Sequence, residues 1–155
     1  MLSQTVEYAL RAMTHLATLS PDNSLNSEGI AKRTKVPKGY LSKILRDLVI
    51  AELITSQRGP NGGFTLAKPP SEISILDVVN AVDPIERITK CPLGNPAHLK
   101  LCPLHQHIDD SIAKMENGFA CTMLPELLET SHRGSPQCKT LTAATIGVTN
   151  AASKG

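Results

Sequence analysis

The sequence predicts a mainly α-helical chain with one small β-hairpin. Apolar residues recur every three or four positions through most of the first 120 residues, the spacing of amphipathic helices. Two short runs flank RGPNGG, residues 58–63, a turn-forming stretch suited to a hairpin. Aromatic residues make up 3% of the chain and Trp is absent, so the core must be built from Leu, Ile, Val and Ala.

Leu2, Val6, Leu10, Met13, Leu16 and Leu19 mark the first helix, which stops at the turn formers Ser20-Pro21-Asp22-Asn23. Ser27 is expected to N-cap a short second helix running through Ile30 towards Thr34. Val36-Pro37-Lys38-Gly39 breaks it, and Tyr40, Leu41, Ile44, Leu45 and Leu48 trace a third helix. Leu53 to Gln57 and Gly63 to Ala67 read as strands, with the glycines and Asn61 between them permitting positive φ. Pro69-Pro70 closes that unit. Ser74, Ile75, Leu76, Val78, Val79 and Val82 predict a fourth helix ending at Asp83-Pro84. An irregular loop follows, and Leu101, Leu104, Ile108, Ile112, Met115 and Phe119 hold one face of a long helix. A helix lying after a completed domain is expected to pair with a copy of itself. Residues 131–155 are rich in Ser, Thr, Ala and Gly without periodicity, the pattern of a disordered tail.

Helix, helix, turn, helix, then a hairpin with a basic tip is the order of a winged helix-turn-helix. Charge agrees with it. Residues 1–70 carry nine Lys/Arg against five Asp/Glu, whereas the remainder carries seven against nine, so the basic surplus lies in the first half, as a polyanionic partner requires. A helix-turn-helix lays its second helix in the major groove. Here that helix begins PKGYLSKILRDL, residues 37–48. Leu41, Ile44, Leu45 and Leu48 face inward, leaving Lys38, Tyr40, Ser42, Lys43 and Arg46 outside. Arg58 at the hairpin tip suits a minor groove or the sugar–phosphate backbone, and the turn glycines let that tip approach closely. Ser27, Gly39, Asn61 and Gly62 complete the candidate contacts to double-stranded operator DNA.

No segment approaches the ~18 consecutive apolar residues of a membrane span, and the N-terminus lacks the pattern of a signal peptide. The expected setting is cytoplasmic, without a membrane partner, and there four cysteines read as metal-binding or redox-active before a disulfide framework. HExxH, a Gly-rich phosphate loop and a plausible Ser-His-Asp set are all missing, so the chain is not expected to be an enzyme.

YLSKILRDL followed by RGPNGGFTLAKPPSEISILDVVNAVD resembles the Rrf-two family of bacterial transcription regulators, which includes IscR, NsrR and CymR. MLSQTVEYALRAMTHLA resembles that family's first helix, and the match spans roughly residues 1–130. The resemblance implies a homodimer joined through the long helix, and many members bind an iron–sulfur cluster in the preceding loop. The implied layout is a winged helix-turn-helix domain over residues 1–83 and a cysteine-containing sensor loop over 84–103. A dimerisation helix and C-terminal helix over 104–130 then precede the tail at 131–155.

The loop CPLGNPAHLKLCPLH, residues 91–105, gathers soft thiolates and imidazoles, donors that suit iron–sulfur clusters or zinc. Cys102 and His105 are three apart at a helix start and so share a face. Cluster-binding relatives usually carry three cysteines here, and this chain has two. Cys91 fits the first position of the pattern, Cys102 the last, and His105 the histidine ligand of IscR-like proteins. The middle position reads Pro96-Ala97-His98. The set can be completed by Cys91, Cys102 and His105 alone, by His98, or by a carboxylate such as Glu7 of the partner subunit. A mixed set of this kind favours a 2Fe–2S cluster sensing redox, nitric oxide or iron–sulfur status; the alternative is a cofactor-free or zinc- or thiol-containing regulator of the same fold responding to a partner protein or small molecule. Cys121 is expected to be a buried small side chain at an apolar helix end, Cys138 to lie in the tail, and His15 to be a packing or surface residue.

Overall fold

The computed structural model describes residues 2–20, 23–91 and 100–128. Seven elements order the chain: α1 (Gln4–Ala17), α2 (Ser27–Thr34), α3 (Lys38–Ile50), β1 (Ile54–Gln57), β2 (Gly63–Leu66), α4 (Ile75–Val82) and α5 (Pro103–Cys121). Short 3-10 turns occupy Pro70–Glu72 and Leu124–Leu127. The predicted fold class holds: a mostly helical chain carrying one antiparallel hairpin.

The core is aliphatic, as the scarcity of aromatics requires. Met13 and Leu16 from α1, Ile30 from α2, Leu41, Ile44, Leu45 and Leu48 from α3, and Val78 from α4 are almost wholly buried together. Leu48 is 0% exposed, and burying such a side chain contributes about 1.5–3 kcal/mol. A smaller cluster joins Val6, Ile75 and Val79, with Phe119 of α5 packed against it.

The helix starts follow local chemistry. Ser3 caps α1, and Ser74 with Asp77 forms a reciprocal capping box on α4. Ser27 does not cap α2; Asn26 does, its Oδ1 accepting from the Gly29 N–H at 2.8 Å. Both types are good caps, and the chain is extended at residue 26 and already helical at 27, which settles the matter. The turn between α2 and α3 places Lys35 in the left-handed region at φ 57°, with Val36 buried behind it.

In the wing, Ile54 pairs with Leu66 and Gln57 with Gly63. A further bridge joins Leu25 to Phe64, adding the run-in to α2 as a partial third strand. Positive φ falls on Gly59 alone in this turn, at 117°, so Asn61 does not supply it. Gly62 is required for space instead, since a Cβ there would lie 2.4 Å from the Gln57 carbonyl oxygen.

After α5 the chain returns to the core. Leu124 is fully buried, its N–H donating to the Ile73 carbonyl at 2.8 Å, and the Ile75 N–H donates to the Thr122 carbonyl at 2.9 Å. Cys121, expected to be buried, is exposed at the last turn of α5; Phe119 and Leu124 fill the apolar contacts at this end. No helix among the described residues is long and apolar enough to cross a membrane. His98, Cys138 and the tail at 131–155 lie outside the described residues.

Candidate functional site

One face of the molecule gathers the candidate contacts on α2, α3 and the wing. Along α3 the buried side chains are Leu41, Ile44, Leu45 and Leu48, and the 3.6-residue period therefore leaves Lys38, Gly39, Tyr40, Ser42, Lys43 and Arg46 exposed. Pro37 precedes α3 without a side-chain cap, so the Lys38 and Gly39 amides have no side-chain acceptor there, while the Tyr40 N–H donates to the Pro37 carbonyl at 3.1 Å. A Cβ on Gly39 would meet nothing within 4 Å, so this turn leaves room for a close approach.

Ser27, Ser42 and Arg46 line a cleft of about 420 Å³ between α3 and the wing, together with Ser56 and Phe64. Arg58 and Asn61 are exposed at the wing tip, while Gly62 is half-buried beneath it. The tip is tied down, because the Ser24 hydroxyl donates to the Asn61 carbonyl at 2.7 Å. Lys38 already has a partner: its Nζ lies 2.7 Å from Glu28 Oε1, and that hydrogen bond and charge hold the Glu28 carboxyl below the usual carboxylate range. Tyr40 is braced by the edge of Tyr8, with ring centroids 6.0 Å apart, and Arg11 in turn lies 5.9 Å from the centre of the Tyr8 ring.

The second candidate group lies at the start of α5. Cys102 is the N-cap residue, and its Sγ is 3.1 Å from His105 Nδ1, so the expected shared face is realised. Cys91 is half-buried just before residues 92–99. Glu7 pairs with Arg11 on its own helix. Among the described residues no three His, Cys, Asp or Glu side chains already converge as a metal-binding group. The described donors fit a 2Fe–2S cluster or zinc in kind, as thiolates and imidazole, and among the described residues they do not assemble into a complete set.

Sequence reasoning missed the strongest polar contact near this group. Arg87 makes a two-pronged bond to Asp109 of α5, with Nε to Oδ1 and Nη2 to Oδ2 both at 2.7 Å. Asp109 sits beside Ile108 on α5 and is buried, but nothing in local spacing names Arg87 as its partner. His15 is a core residue, 3% exposed, with neither ring nitrogen hydrogen-bonded. Burial first, and the Arg33 charge second, push its pKa below the ordinary 6.5.

Comparison with known proteins agrees with this geometry. The family described as Rrf2, Iron-dependent Transcriptional regulator, matches residues 2–130. A candidate HTH-type transcriptional regulator of Aquifex aeolicus is 31% identical over 135 residues, covering 81% of this chain and 90% of that one. Two solved structures share the fold. CymR, the global cysteine regulator of B. subtilis, gives a TM-score of 0.68 at 23% identity, covering 82% of this chain and 95% of that one. IscR of T. potens gives 0.69 at 22%, covering 88% and 93%. The relatives are transcriptional regulators rather than enzymes. With an exposed α3 beside a wing, and a family match across nearly all the described residues, the chain belongs to the Rrf2 family of transcriptional regulators.

Proposed function

We propose that the chain acts as a homodimeric, cytoplasmic regulator that reads operator DNA with α3 and the wing. The proposed layout is a winged helix-turn-helix over 1–83, a sensor loop over 84–103 and a dimerisation helix with its C-terminal extension over 104–130. The observation that carries DNA binding is the exposed row Lys38, Tyr40, Ser42, Lys43 and Arg46 along α3, with Arg58 beside it on the wing. Lys38 and Lys43 are assigned to base edges; Arg58, Ser27, Asn61 and the amides around Gly39 and Gly62 are assigned to the phosphate backbone. Dimerisation rests on α5, where Leu104, Ile108 and Met115 remain 64%, 40% and 38% exposed in the single chain.

The signal in this reading is redox state, nitric oxide or iron–sulfur status, received by Cys91, Cys102 and His105. The Cys102–His105 contact supports it. A 2Fe–2S cluster bound there would supply a redox- and nitric-oxide-sensitive centre, with Glu7 of the partner subunit or His98 as the added donor. The second reading is a cofactor-free or zinc- or thiol-containing regulator of the same fold responding to a partner protein or small molecule, and the Cys102–His105 contact serves it equally.

Arg58→Ala tests the interface. It is expected to weaken binding alike on all duplexes and to lower the salt slope by about 0.9, one phosphate contact. A loss confined to one sequence would make Arg58 a base reader. Anaerobic absorption spectra after reconstitution test the sensor: visible charge-transfer bands that Cys91→Ala removes are expected, and their absence from the parent protein would sink the cluster.

A further inference from the structure

The chain has two tyrosines, and they meet across two elements. Tyr8 stands on α1 and Tyr40 in the first turn of α3. Their ring centroids are 6.0 Å apart and their planes are inclined at 65°, an edge-to-face pair. Arg11, three residues beyond Tyr8, holds its guanidinium 5.9 Å from the centre of the Tyr8 ring, within the range of a cation–π contact. Glu7 in turn pairs with Arg11 across one turn of α1.

The two rings lie in different settings. Tyr8 is half-buried and packs against the main core, whereas Tyr40 is 56% exposed. Tyr40 therefore gains little from burial, yet its ring is held in one orientation. It is held at the start of the second helix of a helix-turn-helix, the part that such a motif presents to the duplex. A tyrosine there offers DNA a hydroxyl donor on a rigid arm. A side chain that must be immobilised on docking gives up rotamer freedom, and one already braced by a neighbour gives up less. The brace comes from α1, which carries none of the candidate DNA contacts itself.

We propose that Tyr8 is a positioning residue for DNA binding, holding the Tyr40 ring in its docking orientation, and that Arg11, tied to Glu7, holds Tyr8. The inference rests on α3 facing DNA. It adds α1 to the elements that shape that face.

The test measures binding to a duplex that the parent protein selects from a random-sequence pool. Tyr8→Leu keeps an apolar side chain against the core and removes the ring. It is expected to weaken binding about two- to tenfold for each Tyr40 docked, the factor that one side chain's lost rotamer freedom supplies. Tyr8→Phe restores the ring and is expected to bind as the parent does. With Tyr40→Ala already in place, neither Tyr8→Leu nor Arg11→Gln is expected to weaken binding further. The chain has no Trp, so tyrosine emission from the Tyr8→Leu and Tyr8→Phe proteins comes from Tyr40 alone. Its anisotropy without DNA is expected to be lower in Tyr8→Leu than in Tyr8→Phe. Equal anisotropies in the two, or a Tyr8→Leu loss that is the same with and without Tyr40, would overturn the positioning role. An Arg11→Gln loss that persists without Tyr40 would make Arg11 a DNA contact in its own right and overturn its part. A parent protein that selects no duplex would overturn the assignment of α3 to DNA, and the inference with it.

Discussion

Replacing Glu28 by Gln removes a negative charge from the face assigned to DNA while keeping side-chain length and an oxygen acceptor. Glu28 Oε1 lies 2.7 Å from Lys38 Nζ, with the two side chains 73% and 70% exposed. The carboxyl is held below its usual range, first by the Lys38 hydrogen bond and then by its charge, so it stays ionised at neutral pH and occupies the ammonium. Without the Glu28 carboxylate the interface carries one more net positive charge and so neutralises one more phosphate. The slope of log affinity against log salt should steepen by about 0.9, and the same relation gives roughly eightfold tighter binding near 0.1 M salt. The pair is exposed, so unfolding by urea should be almost unchanged. Fluorescence anisotropy of a labelled duplex, titrated between about 50 and 200 mM salt, measures both quantities. An unchanged slope would place the Glu28–Lys38 pair outside the DNA interface, and weaker binding would mean that Glu28 is needed to aim Lys38.

Two further outcomes are expected. Ile108→Glu puts a charge in the exposed stripe of α5 and should convert the proposed dimer to monomer in sedimentation velocity; an unchanged dimer would move the interface elsewhere. The lowered pKa of His15 means that the unfolded chain binds more protons than the folded one below the ordinary value. Stability should therefore fall as pH drops through about 6.5 and level off below the folded value, a dependence that His15→Leu flattens in urea unfolding; equal pH dependence in both proteins would remove His15 as its source.

The fold was legible wherever one residue period served one core. Leu41, Ile44, Leu45 and Leu48 announced both the helix and its buried side, and the exposed row on α3 followed by subtraction. Ser74 with Asp77 announced a helix start because both halves of the box are local. Reading failed where the deciding partner is distant or where several residues would serve. Asn26 and Ser27 are both good caps, and only the backbone angle at 26 chooses. Lys35 adopts the left-handed conformation with no glycine to advertise it. The bond from Arg87 to Asp109 spans 22 positions, so no local rule pairs them. Within the candidate site, Cys102 and His105 were readable because one helical turn joins them. Cys91 has no such local partner, since ten residues separate it from Cys102.

The return of the chain after α5 bears on the order in which the protein is made. Leu124 fills the core against Ile73, and the pairing of Ser74 with Met123 closes the same seam. The elements that face DNA are all synthesised by residue 66, but the Leu124 socket stays open until nearly sixty more residues have left the ribosome, about 3–12 s at typical elongation rates. The nascent DNA-reading half thus waits, with apolar surface uncovered, for the segment that carries Cys102, His105 and α5. A messenger or protease event that stops the chain before residue 124 yields an unfinished core rather than a free winged helix-turn-helix unit.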